Sequence, residues 1–176
     1  MFYFDLELNE EFETDLEQSK FFGEISLPER FLSSGEFSPD EMFVCQINLS
    51  EVRLYFKDFL LPSVGRLLFF IDLKKKRPIV RYINEECEAY TSFNDDLDFD
   101  IDYSEELTLS FSDKSDYTAG EMLFSDEKCD GLVCLLKVYH FLDEPLLPLD
   151  GSAYFLIDEN DLRKFDFSNI KLKIIK

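Results

Sequence analysis

Several residue types on which enzymes and binding proteins commonly rely are scarce in this chain. It contains no tryptophan, six glycines and a single histidine, His140, among 176 residues. Nucleophilic catalysis usually pairs a histidine with a serine or cysteine, but His140 stands within an apolar run that predicts a strand, so we interpret it as a structural residue. No glycine-rich phosphate-binding phrase occurs, and nucleotide binding therefore has no support.

Long apolar stretches are also missing. No run of eighteen apolar residues occurs, so the sequence predicts no transmembrane helix and no membrane partner. The first residues carry no basic segment, and we expect no signal peptide and a cytoplasmic location. Cysteines in such a chain are expected to be reduced, buried thiols. They are Cys45, Cys87, Cys129 and Cys134.

The cysteines give only an unspecific metal pattern. Cys129 and Cys134 have a spacing that zinc sites permit, with Cys87 and His140 as nominal further ligands. Structural zinc pairs usually lie on tight turns, whereas Cys134 belongs to an apolar strand. We therefore predict no metal ion and no cofactor.

Charge of one sign dominates the chain. It has 38 acidic and 18 basic residues, a formal net charge of −20. Such a surface repels phosphate backbones and anionic lipid headgroups, so nucleic acid is excluded as an expected partner. The same field would attract a basic protein partner. The alternative, that the charge serves solubility alone, stays open.

One acidic segment alternates with apolar residues over 96–103. This pattern predicts a strand with one exposed face. A calcium loop starting at the first of these acids would need glycine in place of Ile101 and glutamate in place of Leu107, and has neither. We take the four carboxylates as candidate binding residues for a basic partner. They are Asp96, Asp98, Asp100 and Asp102.

Two copies of one phrase organise the sequence. Residues 60–72 and 146–158 match at seven of thirteen positions, 86 residues apart. In each copy a Leu-Pro step and a glycine predict a turn, and the apolar run that follows predicts a buried strand. We interpret the chain as a single domain, 1–176, with pseudo-symmetric half-repeats at roughly 1–88 and 89–176. The alternative is two merely similar strand-entry turns.

The remaining pattern is mostly strand-like, and the predicted fold class is α+β with mainly antiparallel sheet and few short helices. The basic run 74–78 is interpreted as a solvated turn rather than an anion site. Buried central positions are predicted at Phe69, Ile71, Phe155 and Ile157. Further strands are predicted over 2–8, 42–47, 79–83, 88–93, 107–111, 132–142 and 170–175, and short helices over 10–18, 48–56 and 158–165.

Several phrases together resemble the YwqG-like family, uncharacterised bacterial proteins with a domain of unknown function. The matching phrases are Ser19-Lys20-Phe21-Phe22-Gly23 with Leu27-Pro28, Phe43-Val44-Cys45-Gln46-Ile47-Asn48-Leu49, the spaced residues Leu61, Pro62, Gly65, Leu67, Phe69, Phe70 and Ile71, and Asp150-Gly151 with Tyr154-Phe155-Leu156-Ile157, followed by Asp161-Leu162 and Asp166-Phe167-Ser168. The middle of the chain is unmatched. Phe22 stands where relatives usually have glycine, and the tryptophan-rich segments of longer relatives are missing.

The resemblance implies one α+β unit dominated by antiparallel sheet and carries over no catalytic residue. Some relatives are encoded near bacterial toxin systems, which implies an immunity or toxin-binding role by analogy. The favoured hypothesis is thus a non-enzymatic acidic domain that binds a basic protein. The alternative is an enzyme with an acidic cleft between the two halves, in which His140 takes part.

Overall fold

A computed structural model describes residues 2–8, 16–35, 37–53, 61–85, 87, 89–94, 106–112, 120–122, 131–140 and 146–176. Within these ranges the chain forms twelve strands and three short helices. The strands are β1 (Phe2–Leu8), β2 (Lys20–Phe21), β3 (Ile25–Leu27), β4 (Glu41–Asn48), β5 (Arg66–Asp72), β6 (Arg77–Ile83), β7 (Ala89–Thr91), β8 (Leu107–Ser112), β9 (Gly120–Met122), β10 (Val133–Val138), β11 (Ser152–Ile157) and β12 (Lys171–Ile175). The helices are α1 (Glu29–Ser33), α2 (Leu49–Val52) and α3 (Glu159–Arg163).

Ten strands form one antiparallel sheet in the order β12-β11-β10-β9-β1-β8-β2-β4-β5-β6, and β3 and β7 pair in a second, two-stranded sheet. The predicted class, α+β with mainly antiparallel sheet and short helices, is confirmed. The two edge strands of the large sheet, β6 and β12, lie next to each other. The sheet is therefore curled, and its first and last thirds face one another.

Each end of the large sheet is a three-stranded unit with the same pairing. The first unit is β4–β5–β6 and the second is β10–β11–β12. Cys45 lies opposite Phe69 in the first unit, and Leu136 lies opposite Phe155 in the second. In both ladders a register shift immediately precedes this pair. The central strands β5 and β11 are thus paired in the same register with the first strand of their unit, β4 and β10 respectively.

The glycines of the repeated phrase also have matching surroundings. Gly65 and Gly151 adopt φ angles of +90° and +142°, which side chains disfavour. A Cβ atom on Gly65 would lie 2.6 Å from the carbonyl oxygen of Ile83, and one on Gly151 would lie 2.6 Å from that of Ile175. Both isoleucines end the third strand of their unit, so each glycine permits a close crossing of the chain there.

The aspartates that close the two phrases act alike. Asp72 accepts a hydrogen bond from the backbone N–H of Lys75 at 2.8 Å, and Asp158 accepts one from Asn160 at 2.8 Å. These bonds lower the pKa of both carboxyl groups against the opposing effect of desolvation. After Asp72 the chain makes a turn, and after Asp158 it begins α3, of which Asp158 is the N-cap.

The main core lies between the two units. The four predicted core positions are confirmed, since Phe69, Ile71, Phe155 and Ile157 are at most 1% exposed. The rings of Phe69 and Phe155, which are equivalent in the two phrases, meet edge to face with centroids 5.3 Å apart. Aromatic pairs of this geometry add to the free energy gained by burial alone.

A second core covers the outer face of the first unit. There Phe43 and Phe70 pack with ring centroids 5.4 Å apart, and Phe37 packs on Phe70 at 5.6 Å. The Arg81 guanidinium lies 4.2 Å from the Phe37 ring centroid and forms an ion pair with Glu41 at 2.9 Å. The small β3–β7 sheet contributes Ile25 and Leu27 to this core, which is why the first unit is buried on both faces.

The predicted strand over 132–142 is too long. β10 ends at Val138, and His140 follows the strand instead of lying inside it. The backbone N–H of His140 donates to the Ser152 hydroxyl at 3.1 Å, and this side-chain partner takes over where the ladder with β11 stops. The predicted strand over 88–93 is likewise shorter, since within residues 89–94 the segment Ala89–Thr91 alone pairs with β3.

Most other predicted elements agree with the structure where it describes them. Asn48 caps α2 by accepting from the backbone N–H of Ser50 at 3.0 Å, and the three lysines of the basic run lie in the turn between β5 and β6. The predicted helix over 10–18 falls mostly outside the described residues, and its last positions, 16–18, form a turn instead of a helix. Positions 54–56 of the predicted helix after Asn48 and the predicted strand over 96–103 also fall outside the described residues.

β2 ends at a turn that needs left-handed backbone. Phe22 and Gly23 have φ angles of +53° and +72°. Phe22 is the position at which the YwqG-like resemblance leads one to expect glycine, and its backbone conformation is one that glycine adopts without strain. Its ring is 4% exposed and packs edge to face on Phe21, with centroids 5.6 Å apart. Burial of the ring offsets the backbone cost.

We therefore expect an unusual order of stability at position 22. Phe22→Gly and Phe22→Ala both lose the buried ring, which typically costs about 3–5 kcal/mol. Glycine also removes the left-handed strain of about 1–2 kcal/mol, so Phe22→Gly should be the more stable of the two variants in urea unfolding. The control is Phe21, an ordinary strand residue, where alanine should be more stable than glycine. The same order at both positions would contradict the interpretation.

Candidate functional site

The four predicted binding carboxylates, Asp96, Asp98, Asp100 and Asp102, lie outside the described residues, and their role stays a prediction. Most of the net charge of −20 also belongs to residues outside the described ranges. Acidic and basic side chains are nearly balanced within the described ranges. The acidic excess is therefore concentrated in segments such as 10–15 and 95–105 of the sequence.

Most cations of the described part have a carboxylate of the same chain as partner. The pairs differ in burial, from fully buried Lys20 with Glu106 to the exposed pair Lys176 and Asp150. The remaining pairs are Arg30–Glu85, Arg66–Glu17, Lys74–Asp40, Lys75–Asp72, Arg81–Glu41 and Arg163–Glu159. The folded scaffold thus neutralises much of its own positive charge and leaves the acidic excess of the whole chain largely uncompensated.

Arg66, at the start of β5, is the centre of a buried polar cluster. Its guanidinium is 4% exposed and donates to the Ser26 hydroxyl and the Ser26 carbonyl, each at 3.0 Å. It also donates to the Gln46 side-chain oxygen at 3.2 Å. The Gln46 amide in turn donates to the carbonyls of Leu16 and Gln18 at 2.7 and 2.6 Å. Arg66 and Gln46 therefore fasten residues 16–18 and β3 to the large sheet.

An open groove of about 450 Å³ lies beside this cluster. Glu17, Asn48, Arg66 and Glu85 are among the residues that line it. The nearest Glu17 oxygen is 4.0 Å from the guanidinium of Arg66, and Glu85 is bonded to Arg30. Since acceptors of the protein already occupy the guanidinium, we interpret the Arg66 cluster as a structural device.

Cys45 and Cys87 are not activated nucleophiles. Burial raises the pKa of the Cys45 thiol well above its ordinary value. Cys87 is only half-buried, contrary to expectation, and its sulfur lies 2.8 Å from an Arg66 nitrogen. Desolvation nevertheless outweighs Arg66 and raises the pKa of Cys87 as well. Cys45, Cys87 and Cys134 are free thiols. No group of three metal-ligating side chains occurs among the residues that the structure describes.

A second groove, the junction groove, lies where the two units meet and has a volume of about 430 Å³. It combines an apolar floor with two lysines and one aspartate, so it is not the acidic cleft that the enzyme hypothesis expects. His140 is not among its lining residues. The lining consists of Ile71, Leu73 and Lys76 from the first unit and its turn, and of Pro148, Leu149, Asp150, Ile174 and Lys176 from the second unit and its flanks.

Sequence reasoning missed the buried polar residues of the scaffold. Lys20, Gln46 and Arg66 are at most 4% exposed. Gln46 interrupts an apolar run, and Lys20 and Arg66 each directly precede one. A polar residue at an inward position of a strand is the available signal, because a buried polar group requires a partner. The partner itself, such as Glu106 for Lys20, is distant in the sequence and had no comparable signal.

No helix in the described part of the chain has the length and apolar character needed to cross a membrane. Comparison of the sequence with protein-family models finds no match, and comparison with curated proteins finds none either.

Proposed function

We propose that this chain is a non-enzymatic domain of the cytoplasm that captures a basic protein partner, in an immunity-like or antitoxin-like role. The observation that carries the proposal is the distribution of charge. Carboxylates of the described scaffold already pair with most of its cations, while the chain as a whole keeps a net charge of −20. An excess of this size produces a long-range field that accelerates association with a basic protein.

The residues proposed to meet the partner are Asp96, Asp98, Asp100 and Asp102. Their support comes from the sequence, in which four carboxylates alternate with four apolar residues. On a strand such carboxylates lie about 7 Å apart along one face, a spacing at which separate lysines and arginines can be bound. We expect nucleic acid to be a poor partner because phosphates meet the same negative field.

Substitution of these four aspartates by asparagine should abolish capture. The test is co-expression with the product of the neighbouring reading frame, scored as rescue from toxicity, together with the association rate of the purified proteins. We expect the association rate to fall at least about tenfold and to fall also with rising salt, because exposed charges are screened over about 8 Å at physiological ionic strength.

The control changes the same number of charges elsewhere, at Glu10, Glu11, Glu13 and Asp15. If only the first set abolishes rescue, the four aspartates form the contact. Equal loss with both sets would mean that net charge alone steers the partner. Absence of any basic partner, or binding indifferent to salt, would contradict the proposed function.

We also propose that the two units arose by internal duplication, with half-repeats at roughly 1–88 and 89–176. The equivalent registers of the two units and the equivalent crossings at Gly65 and Gly151 support this. The connections differ, since a turn follows Asp72 but α3 follows Asp158. Related sequences test the duplication. In each of them, the segment equivalent to 42–83 should align with the segment equivalent to 133–175 better than shuffled segments do, and failure to align would contradict duplication.

Membership in the YwqG-like family is proposed as well. It is supported by the order of the matching phrases and by the left-handed backbone of Phe22, where that family has glycine. An experimental structure of a member of that family checks this: its glycine should directly follow a strand, as Phe22 follows β2. A different sheet order in that structure would contradict the proposal.

A further inference from the structure

The junction groove combines an apolar surface with a cation, Lys76, that has no ion pair within the described ranges. We propose that it binds a small carboxylate with an apolar chain, of the size of a medium-chain fatty acid. Its volume of about 430 Å³ lies in the range of roughly 300–1,000 Å³ that is typical of small-molecule sites. This inference is independent of the basic partner proposed above, because it concerns another surface and the opposite charge.

The apolar part of the groove comes from both units. Ile71 is almost fully buried, and it brings the groove to the edge of the main core. Leu73 and Leu149 are half-buried, and Ile174 is 38% exposed. An alkyl chain lying against these side chains would remove apolar surface from water on both partners, which supplies the driving force for binding.

The charge of the groove is positive although the protein is strongly negative. Lys176 and Asp150 form an ion pair with each other, so they largely cancel. Lys76 is exposed and forms no ion pair within the described part of the chain, whereas its neighbours Lys74 and Lys75 pair with Asp40 and Asp72. Among the residues that the structure describes, the Lys76 ammonium is therefore the group at the rim that is available to a carboxylate.

The backbone of Lys76 is a second, independent observation. Lys76 ends the turn between β5 and β6 with a φ of +50°, a left-handed conformation that glycine or asparagine usually occupies. Strained residues often mark functional positions. A role for the ammonium explains why lysine stands at this position of the turn.

A carboxylate fits better than a phosphate ester. The described residues of the rim offer one ammonium without an ion pair, whereas phosphate sites usually provide several donors from arginines, backbone N–H groups or helix starts. A dianion would also be repelled more strongly by the net charge of −20.

The test uses octanoate as the ligand and 1-octanol and acetate as probes of its two parts, with binding to the full-length protein followed by calorimetry or NMR titration. Octanoate should bind at least about fivefold more tightly than 1-octanol, and acetate should not bind. Lys76→Asn should reduce octanoate affinity about fivefold to tenfold, an effect of one charge-assisted hydrogen bond, and leave 1-octanol unchanged. Lys74→Gln, in the same turn but outside the groove, is the matched control and should change neither.

The melting temperature separates a binding role of Lys76 from a structural one, because replacing a lysine that stabilises the fold would lower the melting temperature. Lys76→Gly relieves the left-handed strain, so the melting temperature should rise by about 2–4 °C while octanoate affinity falls as in Lys76→Asn. Leu149→Asp should weaken octanoate and 1-octanol together. Equal affinity of octanoate and 1-octanol, no binding of octanoate, or full affinity in Lys76→Asn would overturn the proposal.

Discussion

Replacing Phe155 by alanine is expected to lower the free energy of unfolding by about 3–5 kcal/mol. Its ring is fully buried at the centre of the main core, on the middle strand of the second unit. Both units pack around it, so the cavity left by alanine cannot be filled by a small local movement. Phe69→Ala should have an effect of the same size, because Phe69 has the same place in the first unit. Denaturant unfolding measures both.

The double variant distinguishes contact from simple burial. Since the two rings meet edge to face at 5.3 Å, the cycle Phe69→Ala with Phe155→Ala should show a coupling of about 0.5–1.5 kcal/mol. Tyr90→Ala is the control for an exposed aromatic residue, being 61% exposed, and should cost less than about 0.5 kcal/mol. Phe→Leu variants keep the test usable if alanine unfolds the protein. A loss below about 1 kcal/mol for either phenylalanine would contradict the packing described.

Removal of the carboxylate of Glu106 should have the next largest effect. The Lys20 ammonium is fully buried and pairs with a Glu106 oxygen at 2.6 Å. Glu106→Leu leaves that charge buried without its carboxylate. Breaking a buried ion pair in this way typically costs 3–5 kcal/mol, and we expect about 3 kcal/mol because the Glu106 side chain is 15% exposed.

The reverse substitution should be milder. In Lys20→Met the remaining Glu106 carboxylate can turn toward water, and methionine fills the buried space, so a loss of at most about 1–2 kcal/mol is expected. The double variant, Lys20→Met with Glu106→Leu, should be more stable than Glu106→Leu alone, because no charge is then buried. Equal losses in the two single variants would show that the pair is hydrated rather than buried.

Much of the sheet could be predicted from local pattern. Alternation over 2–8 and 107–111 and the apolar runs of the repeated phrase correspond to β1, β8, β5 and β11. The side-chain period of two is imposed by the strand itself, so it can be read without knowledge of the neighbours. Helix starts were also predictable at Asp158 and at either Asn48 or Ser50, of which Asn48 is the N-cap in the structure, because an N-cap depends on a contact only two residues away.

The order of the strands could not be predicted in the same way. β1 lies between β8 and β9, and the two-residue β2 lies between β8 and β4, so these pairings join residues far apart in the sequence. The Asn94 side chain provides another example. It bonds both the N–H and the carbonyl of Phe43, at 2.9 and 3.0 Å, and thereby serves β4 where β2 has ended. No local sequence pattern predicts that Asn94 is the partner of Phe43.

The two candidate sites differ in the same way, since one follows from local pattern and the other from long-range pairing. The acidic face over 96–102 was predicted from alternation and stays a prediction, whereas the junction groove depends on residues from two distant parts of the chain. Lys76 was interpreted as part of a solvated turn, which is correct for the turn as a whole. Its left-handed backbone and its place in the same groove as Ile174 depend on the pairing of β5 with β6 and of β11 with β12.

The meeting of β6 and β12 also bears on self-association. Edge strands with free backbone groups readily pair with other copies of the same chain and start aggregation. Here the two edges of the ten-stranded sheet lie against each other, so each shields the other from intermolecular pairing. Ile174 and Ile175 of β12 are exposed, but the backbone of the strand that carries them is covered by β6. Loss of β12 would expose the edge of β11, whose second half consists of apolar residues. The sheet would then offer an unprotected edge on which copies of the chain could polymerise.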